Sequence, residues 1–219
     1  VDHGLGALFT DVDGDGRLDL YVANDLDPNR LYVNVAVPGD PAGLGFRLEE
    51  RGRAEGVDDA NAGMGVAAGD FDLDGRSDLF VTNSRDQLHA VFRRRPSGSP
   101  SFEDARAGFA AALGASSTGW GVTWADLDLD GNLDLVLANG AIPVVDLERD
   151  AERVRVLRNL AGAGRPGSFA DATSLVGLGR GATVNGRGLA AADYDNDGDL
   201  DLAVNSIGGP LLLLQATGA

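Results

Sequence analysis

Four copies of one ten-residue pattern, D-x-D-x-D-G-x-x-D-L, constrain this chain more than any other feature. They read DVDGDGRLDL from Asp11, DFDLDGRSDL from Asp70, DLDLDGNLDL from Asp126 and DYDNDGDLDL from Asp193, and every fixed position matches in all four. Successive copies start 59, 56 and 67 residues apart. The chain is therefore an array of one unit of about sixty residues. The units start near residues 4, 63, 119 and 186, and they make residues 1–219 one repeat-built region rather than two unrelated domains.

The flanks of the pattern give the local structure. Each copy is preceded by G-x-G and mostly apolar residues (GLGALFT, GMGVAAG, GWGVTWA, GRGLAAA) and followed by a short apolar run (LYVAN, LFVTN, LVLAN, LAVN). Two strand-length runs joined by an acidic, glycine-containing turn predict a β-hairpin whose loop is the pattern itself. RLYVNV, HAVFR, VRVLRN and LLLLQ predict a third strand, and FRLEE, SFEDA and SFADA a fourth in the first three units. Four short strands per repeat predict an all-β chain with β-propeller architecture. The glycine pairs lack the third glycine of a dinucleotide fingerprint and read as tight strand starts. In the third unit Trp120, Val122 and Trp124 share one face of a strand, and both tryptophans are expected in the core between blades.

The acidity sits in the repeated loops. The formal net charge is -16, a sum that the sixteen aspartates at pattern positions 1, 3, 5 and 9 would supply alone. Such a balance argues against nucleic acid and membrane insertion and in favour of cations. No apolar run approaches a membrane span, there is no cysteine to build a disulfide framework, and all 18 basic residues are arginine.

Dense carboxylates at alternate positions suit calcium, a hard ion that takes six to eight oxygens. The candidate ligands are Asp11, Asp13, Asp15 and Asp19, with the carbonyl of Arg17 at position 7. The second loop offers Asp70, Asp72, Asp74 and Asp78 with Arg76. The third offers Asp126, Asp128, Asp130 and Asp134 with Asn132, and the fourth Asp193, Asp195, Asp197 and Asp201 with Asp199. About four sites follow. An EF-hand begins alike but closes with glutamate at position 12, where this chain has Val22, Val81, Leu137 and Val204. Solvated Asp-Gly turns would explain one such pair, not four carboxylates at fixed offsets four times over. Magnesium, which keeps its own waters, suits the pattern less well.

The motif G-x-G-x4-D-x-D-x-D-G-x-x-D-L resembles the FG-GAP or VCBS repeat of integrin-α-like β-propellers. With the segments GWGVTWADLDLDGNLDLVLANG, IPVVDLERDAERVRVLRN and GRGLAAADYDNDGDLDLAVNSIGGPLLLLQ, the chain is similar to the ASPIC/UnbV, or cartilage acidic protein-like, group. The resemblance implies calcium in the hairpin loops, an extracellular or periplasmic location and a larger, seven-bladed propeller followed by a small C-terminal domain. Because the fourth unit ends after its third strand, the chain is expected to form an arc of such a ring; a closed four-bladed ring is the alternative. The fourth unit also departs by one residue after its loop, with Asn205 where the other units are read as having an apolar residue.

The function expected is a calcium-stabilised module that recognises a protein or glycan; a secreted hydrolase or lyase on the same scaffold is the alternative. No G-x-S-x-G or HExxH motif is present, and His3 and His89 stand isolated. Two features break the repeat: an insertion from Gly140 to Arg153, open to either a recognition role or a plain surface loop, and Arg93 to Arg95, expected to be a solvated hairpin end.

Overall fold

In the computed structural model, which describes residues 2–98, 101–178 and 183–217, each repeat becomes one antiparallel sheet. Blade 1 is β1 (Gly4–Thr10), β2 (Asp19–Asn24), β3 (Arg30–Ala36) and β4 (Phe46–Glu50). A one-turn helix, α1 (Gly52–Glu55), leads to blade 2, which is β5 (Gly63–Gly69), β6 (Asp78–Asn83), β7 (Ala90–Arg94) and β8 (Phe102–Asp104). After α2 (Ala107–Leu113), blade 3 begins with β9 (Gly119–Ala125) and β10 (Asp134–Asn139). A short strand, β11 (Glu152–Arg153), leaves that sheet before β12 (Arg155–Asn159) and β13 (Phe169–Asp171) complete it. β14 (Thr183–Val184) pairs with β11, and β15 (Gly186–Ala192), β16 (Asp201–Ser206) and β17 (Leu212–Leu214) form the three-stranded blade 4. The strands of the four blades stand where apolar periodicity predicts them, β11 and β14 were not expected, and every acidic pattern is the turn between a blade's first two strands.

The G-x-G pairs do more than start strands. In each blade the register of the first two strands slips at this motif, between Gly4 and Gly6, Gly63 and Val66, Leu137 and Asn139 of the facing strand, and Gly186 and Leu189. This β-bulge sharpens the local twist. The second glycine is where the next blade's inner strand makes contact: a Cβ on Gly6 would lie 2.2 Å from the Met64 carbonyl oxygen, and one on Gly65 1.8 Å from that of Trp120. Any side chain there would separate two blades. The first glycine faces backwards, since a Cβ on Gly63 would press on the Asn24 carbonyl and one on Gly186 on that of Asn139. The intervening residues Leu5, Met64, Trp120 and Arg187 line an axial groove of about 310 Å³.

The core lies between blades rather than within them. Tyr21, Leu31 and Val33 of blade 1 meet Leu79, Val81 and Phe92 of blade 2; Phe71, Phe80 and Phe109 meet Trp124, Leu137 and Phe169; Val136, Val154 and Val156 meet Leu202, Val204 and the partly buried Leu189. Each fully buried large side chain is worth roughly 1.5–3 kcal/mol, so the three interfaces hold the array together.

The two ends of the array show that it is an arc. β1 lies beside β5, β5 beside β9 and β9 beside β15, whereas β15 and β1 do not pack as neighbours. Leu31, Val91 and Val156 occupy equivalent third-strand places with 0%, 0% and 1% exposure, but their counterpart Leu213 on the far side of blade 4 is 48% exposed. On the near side of blade 1 Phe9 is 62% exposed, while Trp124 at the same place in blade 3 packs into a core. The closed four-bladed ring is not formed.

Register also resolves the irregularity of the fourth unit. Ser206 faces Gly186 as Asn24 faces Gly4 and Asn83 faces Gly63, so no residue is missing. Asn205 instead stands where Thr82 stands: its Oδ1 accepts the Gly188 N–H, as Thr82 Oγ1 accepts that of Gly65 at 2.7 Å.

Candidate metal centre

Each acidic turn is scaffolded by its own aspartates. The position-1 carboxylate accepts backbone N–H groups from positions 5 and 6. Asp11 accepts from Asp15 and Gly16 at 3.1 and 2.8 Å, Asp70 from Asp74 and Gly75 at 2.9 and 2.7 Å, Asp126 from Asp130 and Gly131 at 3.1 and 2.9 Å, and Asp193 from Asp197 and Gly198 at 3.1 Å each. Position 5 then accepts the N–H of position 7, that is of Arg17, Arg76, Asn132 and Asp199, at 2.9 to 3.0 Å. The chain must turn left-handed to do this, and position 6 is glycine with φ between 83° and 98° in all four loops.

Position 9 ties the loop to the rest of its blade. Asp19, Asp78, Asp134 and Asp201 are at most 3% exposed. One oxygen of each accepts the N–H of position 2, from Val12, Phe71, Leu127 and Tyr194, at 2.9 to 3.3 Å. The other accepts an N–H from the third-strand side, from Asn34, Arg94, Asn159 and Ala216, at 2.7 to 2.8 Å. Burial drives the Asp78 carboxyl up to about 7 and that of Asp134 up to about 6, against these hydrogen bonds, which favour the ionised form.

The remaining carboxylates converge. Oxygens of Asp11, Asp13 and Asp15 lie within 4.8 Å of one another, as do those of Asp70, Asp72 and Asp78, of Asp126, Asp128 and Asp130, and of Asp193, Asp195 and Asp197. Oxygens bound to one calcium at about 2.4 Å can be no more than about 4.8 Å apart, so each cluster has the dimensions of a site. Asp74 falls outside its cluster, as do Asp19, Asp134 and Asp201. The second loop closes through position 9 and the others through position 5.

The donor set fits a hard cation on a further ground. Asp72 Oδ1 and Asp128 Oδ1, at position 3, are shut off from solvent with no hydrogen-bond partner. Buried oxygens are ordinarily satisfied, and an unpaired carboxylate oxygen facing other carboxylates is the most costly exception. Burial, reinforced by the neighbouring aspartates, raises the carboxyls of Asp13 and Asp72 above the usual range. Among the described residues nothing resembles an EF-hand: Val22, Val81, Leu137 and Val204 lie within second strands, with no helix flanking the loops.

Other singled-out residues have definite places. Trp124 packs in the second interface, stacked on Phe71 at 5.8 Å, as expected. Trp120 does not join an apolar core: the bulge turns it to the axial groove, where Arg187 lies over its ring at 4.0 Å and its Nε1 donates to the Gly140 carbonyl at 2.9 Å. His89 is buried, and its Nδ1 accepts the Asn83 N–H at 2.9 Å; His3 pairs with Asp27 at 2.8 Å on the surface. The arginine run is not simply solvated. Arg93 and Arg95 pair with Glu103, while Arg94 donates to the Val12 carbonyl of blade 1 and lies over Phe102. The insertion is strapped across blades 3 and 4 through β11 and β14, the Asn185 bond to the Leu147 carbonyl at 2.8 Å and the Arg187 bond to that of Ala141 at 3.1 Å.

Two features escaped the sequence. Position 4 is left-handed even where it is not glycine, at Leu73 (φ 60°), Leu129 (φ 55°) and Asn196 (φ 62°), and only Asn196 signals this by its identity. Position 2 also joins successive blades, because the carbonyls of Val12 and Phe71 accept from Arg94 and, at 2.8 Å, from Asn159.

Comparison with known proteins agrees with this geometry. The FG-GAP-like repeat family matches residues 11–81 and again 70–137. Cartilage acidic protein 1 of Xenopus tropicalis is 30% identical over 148 residues, covering 63% of this chain and 21% of that protein. Cartilage acidic protein 1 of Mus musculus is 27% identical over 222 aligned positions, covering 94% of this chain and 31% of its own length. The chain thus spans less than a third of these relatives. With the family match extending over more than half of the residues, and with blades and acidic turns that repeat in step, the chain belongs to the FG-GAP-like repeat family.

Proposed function

We propose that this chain is a calcium-binding, calcium-stabilised part of an extracellular propeller that serves recognition of a protein or glycan. The observation that carries the calcium reading is the buried, unpartnered position-3 oxygen of Asp72 and Asp128 inside clusters of ion-sized dimensions. Positions 1, 3, 5 and 9 of each loop would hold the ion, with the position-7 carbonyl as a further oxygen. A bound cation would neutralise crowded carboxylates and lock the turn between the first two strands. Calorimetric titration with calcium, paired with melting in calcium and in chelator, tests this. Three or four sites and a lower melting temperature in chelator are expected; fewer than three sites, or unchanged melting, overturns it.

The recognition part draws on the polar surface around the insertion. A cavity of about 400 Å³ opens there, lined among others by Ser116, Ser117, Arg153 and the ion pairs Arg85–Glu152 and Arg155–Asp171, a polar, mixed-charge set that suits hydroxyl-rich ligands. The extracellular location is supported by the family and by the relatives' names; among the described residues no helix is long and apolar enough to cross a membrane. The exposed apolar ends of the arc, around Phe9 and Leu213, are where we place further blades of a longer chain.

A further inference from the structure

One third-strand position differs among the four loops in the way that matters most to a cation. The backbone N–H that reaches the position-9 carboxylate belongs to Asn34, Arg94, Asn159 and Ala216. The residue immediately before it is Val33, Arg93, Arg158 and Gln215. Register brings that residue to the position-3 carboxylate. Arg93 Nη1 lies 3.7 Å from Asp72 Oδ2, and Arg158 Nε lies 2.7 Å from Asp128 Oδ2 with its Nη2 3.8 Å from Asp130 Oδ2. Gln215 Nε2 donates to Asp195 Oδ2, and Val33 borders the same hollow as Asp13. The same place in the blade therefore holds an apolar side chain, two guanidiniums and an amide.

We propose that this third-strand residue grades the four loops, with Arg93 and Arg158 acting as built-in competitors that make loops 2 and 3 weak calcium sites and leave loops 1 and 4 the strong ones. The inference rests on the calcium reading above. The guanidinium lies on Oδ2 of the position-3 carboxylate, so an ion is left the unpaired Oδ1 alone unless the arginine swings away, and in either case the positive charge remains beside the site. A unit charge about 5 Å from a divalent ion, in a water-like dielectric with physiological salt, weakens binding roughly five- to fifteenfold. Loop 1 also has arginines nearby, but Arg17 pairs with Asp15 at position 5, and Arg51, which borders the hollow of Asp13 with Arg94, pairs with Glu49, so no guanidinium among the described residues forms an ion pair with Asp13. Loop 4 has a fifth aspartate, Asp199, and among the described residues no guanidinium pairs with any of its carboxylates, so its negative charge is the least compensated there. Higher ligand charge tightens calcium loops.

Each loop carries its own reporter, the amide of its position-6 glycine, which donates to the position-1 carboxylate in Gly16, Gly75, Gly131 and Gly198. Calcium titration of the whole chain, followed by the NMR amide signals of these glycines, reads each loop separately. Gly198 and Gly16 should move first, and Gly131 and Gly75 at calcium concentrations roughly five- to fifteenfold higher. Arg158→Gln should bring the Gly131 midpoint down by that factor, and Gln215→Arg should push the Gly198 midpoint up. Arg158 is exposed and its ion pairs are with Asp128 and Asp130, so its replacement leaves the blade intact. Four coincident midpoints, or a Gly131 midpoint unmoved by Arg158→Gln, overturns the grading while the calcium reading stands. If no glycine responds, both fall.

Discussion

Replacing Asp72 by asparagine separates a ligand from a structural carboxylate. The Asp72 side chain is 11% exposed, its Oδ1 has no hydrogen-bond partner, and its Oδ2 is 3.7 Å from Arg93 Nη1, too far for a hydrogen bond. The amide is nearly isosteric, so without calcium the substitution gives up only the loose ion pair with Arg93, whose guanidinium keeps Glu103. It also removes a charge that burial and then Asp74 disfavour, since both raise the Asp72 carboxyl above its usual range. In chelator, Asp72→Asn should therefore be neutral or slightly stabilising. With calcium at about 10 mM and a dissociation constant of about 1 mM, as suits one of the weaker loops, an intact loop adds about 1.4 kcal/mol. The variant should lose that amount, a fall in melting temperature of about 3–6 °C for a chain of this size. Differential scanning calorimetry of both proteins, in chelator and in calcium, gives the four values needed. An equal loss in both media would make Asp72 structural, and an equal melting temperature in both would mean that the loop holds no ion.

Four further outcomes follow from the same geometry. Asp78 and Asp134 have folded pKa values raised to about 7 and about 6 from 3.8, so the calcium-free fold is favoured at low pH and loses stability as pH rises through that window. Because binding needs both ionised, calcium should release about one proton at pH 6.5 and bind more weakly as pH falls, as calorimetry in buffers of different ionisation enthalpy would show. His89 has the opposite sign: burial depresses it to about 4, so its contribution is full above the unfolded value of 6.5 and up to about 3 kcal/mol is lost as pH falls towards 4, a loss absent from His89→Gln in pH-dependent urea melts. Gly65→Ala, whose Cβ would lie 1.8 Å from the Trp120 carbonyl oxygen, should cost about 3 kcal/mol or more in urea unfolding, because two blades must part. Leu129→Asn, at an exposed position with φ 55°, should stabilise the calcium-free chain by about 0.5–1 kcal/mol in the same assay, since asparagine tolerates the left-handed region.

What was legible in the sequence was what repeats locally. Strand positions, the hairpin location of each acidic turn and the convergence of Asp11, Asp13 and Asp15 follow from period-2 patterning and fixed offsets within ten residues. What escaped depends on partners far along the chain. The second glycine of G-x-G is needed because of a carbonyl in the next blade, more than fifty residues on, as Gly65 and Trp120 show. Trp120 left the expected core because a bulge, itself set by cross-strand register, reversed its facing. The approach of Arg158 to Asp128 depends on third-strand register, which no local pattern encodes. Leu73 and Leu129 gave no sign of left-handed backbone, because the hydrogen bonds of Asp70 and Asp126 to the next loop residues impose it against residue preference.

The position-2 residue explains why an ion in a turn would affect the whole array. Its N–H is held by the position-9 carboxylate, its carbonyl accepts from the following blade at Val12 and Phe71, and the side chains of both are buried in the interface they face. Fixing the loop therefore fixes one wall of the joint to the next blade. In a repeat protein each unit touches only its neighbours, and the interface energies decide whether the array holds together. Calcium bound at loop 1 or loop 2 would act on the joint that follows it rather than on the blade that carries it. Tyr194, at the same position in loop 4, is 54% exposed. A further blade seated on the apolar surface around Leu213, as we propose, would cover that side chain as blades 2 and 3 cover Val12 and Phe71.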